Sequence, residues 1–447
     1  MKTAGETKFK ETDIGPIPEE WGVFKIFDVT EKVAIGPFGS SIKVDTFVNE
    51  GMPVISGQHL NGIKLEDRKF NFITLEHAEK LKNSIVLRGD VIFTHAGNIG
   101  QIAYIPKASK YDRYIISQRQ FYLRCKKDKL IPEFITYFFK TNIGQHLLLS
   151  NKSQTGVPSI AQPVSHLRNI EIPLPTLTEQ KHISEILLSL DDKIELNYKM
   201  NANLDKLDSS LFKQWFANFE FPNKDGKPYK SSGEKMVDSE LGEIPEGWKV
   251  VAIKTIAEVI DCLHSKKPES VEHETPYTLL QLNNISENGL LNLEERYSIS
   301  EEDYKKWISR MEGSEGDCII TNVGRVGAFS RIPAGVKVAL GRNMTGIRAN
   351  DKFPFKYFLA QYFLSDLYNS EVAKNTDVGT ILNALNVKNI SKLRLVIPED
   401  SDILEMAEGM FCSIWQLKEN HIKNNYHLSA VRNSLLPRLM SGKIRVK

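Results

Sequence analysis

The sequence of 447 residues is poor in cysteine, has no long apolar run and carries almost no net charge. Its four cysteines, Cys125, Cys262, Cys318 and Cys412, are scattered and never form a Cys-x-x-Cys pair. Neither a zinc knuckle nor a disulfide framework is expected, and the sequence offers no metal site. No stretch approaches the roughly 20 apolar residues of a membrane helix. Met1 to Lys10 is polar, with no apolar segment after its lysines, so the expectation is a soluble, cytoplasmic protein. A net charge of +2 does not announce a nucleic-acid binder; any positive surface must be local.

Signatures of catalysis are missing too. Gly442-Lys443 is followed by Ile444 and lacks the cradle of a phosphate-binding loop. His273-Glu274 runs into Thr275-Pro276 instead of closing a His-Glu-x-x-His motif, and no Gly-x-Ser-x-Gly elbow occurs. Neither Asn-Pro-Pro-Tyr nor Asp-Pro-Pro-Tyr, with which amino-methylating enzymes grip a flipped adenine, is present. The histidines are dispersed, and the pairs Asp191-Asp192 and Glu301-Glu302 lie in charged helical contexts. The chain is expected to have no catalytic residues.

What is there is a repeat. Ile14-Gly-Pro-Ile-Pro-Glu-Glu-Trp21 returns as Leu241-Gly-Glu-Ile-Pro-Glu-Gly-Trp248, an offset of 227. The same offset relates Gly89-Asp-Val-Ile-Phe-Thr-His-Ala-Gly-Asn-Ile-Gly100 to Gly316-Asp-Cys-Ile-Ile-Thr-Asn-Val-Gly-Arg-Val-Gly327. It falls to 224 at Gln118-Arg119 and Arg342-Asn343, and to 223 at Leu174-Pro175 and Ile397-Pro398. A period this long is a duplicated domain, not a solenoid. Short β-prone runs entered by Gly-Asp and left through glycine turns, alternating with helical stretches, make each copy an α+β domain of about 150 residues.

Each copy ends in a long helix. Thr176-Leu-Thr-Glu179 has capping-box form, and a run without glycine or proline continues to Phe216. Leu187, Leu190, Ile194, Asn197, Asn201, Leu204, Asp208 and Leu211 step alternately by three and four, the seam of a coiled coil. In the second copy Asp402-Ile-Leu-Glu405 is read as the cap and Ile414, Leu417, His421, Asn424, Leu428, Val431 and Leu435 as the seam, with Pro437 expected to end or kink the helix. Such helices would be roughly 60 and 50 Å long, too long to cover against one small domain each, so mutual packing is favoured over two separate core helices. The implied boundaries are residues 1–175, a helix over 176–217, a linker over 218–242 rich in Lys, Ser, Pro and Gly, residues 243–400, and a second helix with its tail over 401–447.

Positive charge is local. Residues 107–129 carry eight Lys and Arg against Asp112 and Asp128, and residues 318–350 carry five against no acid. Solvated faces produce such runs, but their recurrence at one place in both copies suits a long polyanion.

The run Thr155-Gly-Val-Pro-Ser-Ile160, Asn169-Ile-Glu-Ile-Pro-Leu-Pro-Thr-Leu-Thr-Glu-Gln180, Leu190-Asp-Asp-Lys-Ile-Glu-Leu-Asn197 and Leu211-Phe-Lys-Gln-Trp-Phe216 resembles the specificity subunit of type I restriction-modification enzymes. So do the Ile14–Trp21 segment and the ending Leu435-Leu-Pro-Arg-Leu-Met-Ser-Gly-Lys-Ile444, while Val396-Ile-Pro-Glu-Asp400 departs from the family's Pro-Leu-Pro and Glu-Gln pattern. The resemblance implies two tandem target-recognition domains on an antiparallel coiled coil with pseudo-two-fold symmetry. It implies double-stranded DNA with a bipartite target as ligand and methyltransferase subunits, two of them, as partners, joined in some systems by restriction subunits. S-adenosylmethionine, ATP and Mg would then sit on those partners, not on this chain. Arg suits guanine and Gln or Asn suits adenine in the major groove. The base-reading candidates are therefore Ser41, Lys43, Gln58, His59, His95, Asn98, Gln118 and Arg119 in the first copy. In the second they are Lys266, Lys267, Gln281, Asn283, Asn322, Arg325, Arg342 and Asn343. The competing reading is a scaffold whose two α+β domains bind protein.

Overall fold

A computed structural model describes residues 8–39, 41–153, 156–273, 275–377, 379 and 382–446. Thr155, from the motif above, Glu274 and the outermost termini lie outside these. The chain forms two compact units, one of residues 1–195 and 425–447, the other of residues 196–424.

The first unit is α+β. Its main sheet places Gln120–Cys125 between Thr30–Ile35 and Val91–Thr94, with Ile102–Tyr104 at the edge, all antiparallel. A second sheet pairs Met52–Ile55 in parallel with Arg113–Ile116. The strands Val91–Thr94 and Gln120–Cys125 are buried almost throughout, as their apolar runs require. The second unit repeats this frame: Met344–Ala349 lies between Ala257–Asp261 and Cys318–Thr321, which pairs with Phe329–Arg331, and Tyr277–Leu279 runs parallel to Lys337–Ala339. The duplication seen in the sequence is thus a duplication of topology, strand for strand in the main sheet, while the sheet with the parallel pair has four strands in the first unit and two in the second.

The Gly-Asp pair that enters the central strand has a structural purpose in both copies. Asp90 accepts from the Leu87 amide at 2.8 Å and takes both prongs of Arg124 at 2.7 Å. Asp317 accepts from Ser314 at 2.8 Å and takes Arg348 at 2.9 and 2.6 Å. The carboxylate ties turn to strand and neutralises an arginine beside it.

The first long helix spans Leu177–Phe212 and continues through a π-turn, Lys213–Ala217. Thr176 caps it, accepting from the Glu179 amide at 3.3 Å. Glu179 does not reach back as a capping box requires. It accepts instead from Trp21 Nε1 at 3.1 Å and from Arg445 at 2.7 and 3.0 Å. Gln180 is fully buried; it accepts from the Ile131 amide at 3.0 Å and donates to Lys129 O and Pro175 O. The Glu-Gln pair is a clasp that joins the Trp21 segment, the helix start and the C-terminal tail within one unit. The second copy lacks it and meets the same need with Glu408, which accepts from the Tyr357 and Phe358 amides at 3.0 and 2.7 Å.

The second long helix spans Asp402–Met440. Its first backbone bond runs from Glu405 to Ser401 O, so Ser401, not Asp402, is the capping position. Pro437 neither ends nor breaks it. One helical bond is lost near the terminus, and the last turn is anchored by Leu439 and Met440 in the core of the first unit.

Within each unit the two helices pair antiparallel. In the first, Asp191 accepts from Arg432 at 2.5 Å, ahead of the Glu179–Arg445 pair. In the second, Asn201 meets His421 at 2.7 Å while Asp205 meets Lys418 at 2.9 Å. The seam read for the first helix holds, since Leu187, Asn197, Asn201 and Asp208 are buried and Leu190, Ile194, Leu204 and Leu211 half-buried. That of the second needs correction. Leu417 and Val431 are 49% and 47% exposed and Asn424 is exposed, whereas Lys418, Asn425 and Arg432 turn inward with Ile414, Trp415, His421, Leu428 and Leu435. Apolar periodicity misses this face because three of its inward residues are an amide and two cations, Lys418 and Arg432, which are matched to acids on the other helix.

The 218–242 stretch, whose composition is that of a linker, is packed. Phe219 and Phe221 are buried, and Phe221 stacks on Trp248 at 4.8 Å.

Candidate nucleic-acid interface

The predicted residues cluster because of strand order. Gln120 pairs with Thr94, so the turn after Val91–Thr94 and the turn before Gln120–Cys125 leave the sheet side by side. His95 N donates to Arg119 O at 2.9 Å, and Gly97 N donates to Pro158 O at 2.9 Å. Ser117 N donates to Ile55 O and Gly36 N to Gln120 O, which adds the loops after residues 35 and 55. Five loops therefore meet at one end of the unit. Gly97 and Gly100 have φ of +87°, which only glycine adopts readily.

The second unit builds the same end. Asn322 N donates to Asn343 O at 2.8 Å, Leu385 N to Asn322 O at 2.9 Å, and Leu280 N to Ala339 O at 2.9 Å. Arg342 Nε donates to Ser265 O at 2.8 Å, which draws in the loop of Lys266 and Lys267.

The structure separates the candidates by what their polar atoms already do. Lys43, Gln58, Asn98, Gln118 and Arg119 are exposed in the first unit, and Lys266, Lys267, Asn283, Arg325, Arg342 and Asn343 in the second. Ser41 is half-buried and donates to Phe38 O at 2.8 Å. His59 is not a surface reader. It is buried, stacks on Phe70 at 4.4 Å and accepts from the Ser56 amide at 3.0 Å through Nδ1, and burial holds its pKa down. His95 is half-buried against Gln118 O at 3.1 Å, again lowered by burial. Gln281 turns its amide back to Leu279 O and Leu280 O, and Asn322 donates to Thr345 Oγ1 and Leu385 O at 2.9 and 2.8 Å. These two shape the turns.

The charge blocks also divide. Arg124 and Arg348 serve Asp90 and Asp317, and Arg331 is wholly buried beside Glu419 and over the Tyr357 ring at 4.2 Å. Lys126, Lys127 and Lys129 follow the strand Gln120–Cys125 whereas Arg119 precedes it, so the first block does not share one surface. What remains at the loop ends is Lys43 and Arg119 in one unit and Lys266, Lys267, Arg325 and Arg342 in the other. Residues that the sequence did not point to also lie here: Phe38 and Val157 are 79% and 65% exposed on these loops. No local pattern marks an apolar side chain as exposed.

A pair of like-built α+β units, each offering loops with arginine, lysine and amide side chains and each carrying antiparallel helices, has the make-up of a DNA specificity protein. Residues 18–206 match the family described as Type I restriction modification DNA specificity domain. The chain is 25% identical to the Type I restriction enzyme MjaIX specificity subunit of Methanocaldococcus jannaschii over 455 residues, 100% of this chain and 99% of that one. It is 26% identical to the MjaVIII specificity subunit of the same organism over 454 residues, 100% and 98% of the two chains. The crystal structure of a type I restriction-modification S subunit from M. genitalium shares the fold, with a TM-score of 0.57, 13% identity and 98% of each chain covered. Over its whole length the chain is thus similar to specificity subunits of type I restriction-modification systems. Among the described residues no helix is long and apolar enough to cross a membrane.

Proposed function

We propose that the chain reads a bipartite double-stranded DNA target, one half-site at the loop end of each unit, and directs adenine methylation and DNA cleavage performed by partner subunits. It does no chemistry itself. The observation that carries this reading is the correspondence of the two loop ends: the same turns on the same strands, with different exposed side chains at matched positions. Asn98 stands where the second unit has Arg325, and Gln118 where it has Arg342. Matched scaffolds with unmatched side chains suit two different short sequences, because an amide pairs with adenine and arginine with guanine.

Two methyltransferase subunits, joined in some systems by restriction subunits, would bring S-adenosylmethionine, ATP and Mg, and the assembly would work in the cytoplasm. Methylome sequencing of cells carrying the complete system is the test. A split motif methylated on adenine in both halves is expected, and the motif should change when this chain is exchanged. A continuous motif, or none, would refute the bipartite reading. Partner binding insensitive to salt, without DNA affinity, would identify a protein scaffold instead.

A further inference from the structure

The two loop ends differ at one point where the second unit holds an unassigned set of ligand atoms. Asp261 pairs with Thr345 as Ile35 pairs with Phe121, so Asp261-Cys-Leu-His264 occupies the place of Ile35-Gly-Pro-Phe38. In the first unit no side chain fits at the second position, since a Cβ on Gly36 would lie 2.1 Å from Ser117 O. In the second unit the chain has made room for a thiol and set a carboxylate and an imidazole around it.

We propose that Asp261, Cys262 and His264 bind a divalent cation of the zinc class. One carboxylate oxygen, the Cys262 sulfur and one ring nitrogen of His264 all lie within 4.8 Å of one another, so small rotations bring them to tetrahedral distances around one ion. Sulfur, nitrogen and carboxylate oxygen are the donor set zinc selects, and magnesium or calcium would not choose a thiolate. Cys262 is buried at the strand end, whereas the His264 side chain is 62% exposed. His264 Nε2 now bonds Asp261 Oδ2 at 2.8 Å, and Arg310 donates to the same oxygen at 3.3 Å. On binding, the Cys262 thiol releases its proton to water as the sulfur–metal bond forms. Thiolate and carboxylate then balance the two charges of the ion, and the fourth position is left to water. The ion would fix residues 261–264 directly before Ser265, whose carbonyl holds Arg342, and before Lys266 and Lys267. Binding of the ion does not rest on the DNA reading.

The test is titration of the reduced full chain with Co2+ as a visible probe. A thiolate-to-cobalt charge-transfer band saturating at one ion per chain and displaced by Zn2+ is expected. Cys262→Ser should abolish the band, His264→Ala removes a ligand and should weaken binding by at least the roughly 10-fold that loss of an outer-shell partner alone costs, and Cys412→Ser should leave it unchanged. His264 is exposed, so its variant keeps the test decisive even if Cys262→Ser folds poorly. Absence of the band, its survival in Cys262→Ser, or full affinity in His264→Ala would overturn the proposal.

Discussion

The Nζ of Lys418 lies 3.3 Å from the Asp208 carboxylate with neither side chain more than 1% exposed, and it sits 4.1 Å above the Trp415 ring. Asp205 completes the group at 2.9 Å. Taking these charges out of water costs several kcal/mol each. The pairing therefore does more to specify the register in which the two helices meet in this unit than to stabilise it.

Removing the cation strands both carboxylates. Lys418→Ala should destabilise the second unit by about 3–5 kcal/mol, and Lys418→Met with Asp208→Leu should recover much of that loss. Urea unfolding followed by tryptophan fluorescence checks both, Trp415 being the local reporter. Equal losses in the single and double variants would show that the charges act independently.

Burial raises the Asp208 carboxyl to about 6, against the pull of Lys418, whereas an unfolded Asp titrates near about 3.9. The folded state holds this proton more tightly than the unfolded one. Its stabilising contribution is complete below about pH 4 and is lost as the pH rises through about 6. Asp208→Asn lacks that loss. Relative to the parent, the variant should gain up to about 3 kcal/mol between pH 4 and pH 7; a difference independent of pH would contradict the assignment.

Two neighbouring arginines should behave oppositely. Arg124→Ala leaves Asp90 buried and unpaired and should cost about 3–5 kcal/mol of stability without altering the recognised sequence. Arg119→Ala should leave the melting temperature unchanged and weaken DNA binding by the assembled complex. A shared effect on DNA would restore the view of the basic block as one surface.

Within the second unit, Arg325→Ala and Arg342→Ala should each cost about 1–3 kcal/mol of binding and relax one position of one half-site. Lys266→Ala should weaken all sequences alike and reduce the slope of affinity against salt by about one. Salt-dependent binding to a randomised DNA library separates these outcomes. His59→Phe keeps the stack on Phe70 and should leave the recognised sequence as it is.

The copies, the α+β class, the long helices and the glycine turns were legible because each rests on short-range chemistry or on direct repetition. Gly97 and Gly100 announce turns wherever they fall. Of the candidates, Arg119, Arg325 and Arg342 are left exposed, but nothing in the chain near His59 says that Phe70 will cover it. Charge misled where its partner is distant in sequence, as with Arg331 and Glu419.

The sequence by itself thus determined that one unit is written twice, where its strands turn, and which side chains could meet a base or a phosphate. Only the tertiary structure decided which of them remain available. Burial and pairing depend on residues from 34 positions apart, as in Arg124–Asp90, to 210 apart, as in Lys418–Asp208, brought together by strand order and helix pairing. That is why the apparent seam Leu417–Asn424–Val431 faces outward while Lys418, Asn425 and Arg432, unpromising as core residues, face in.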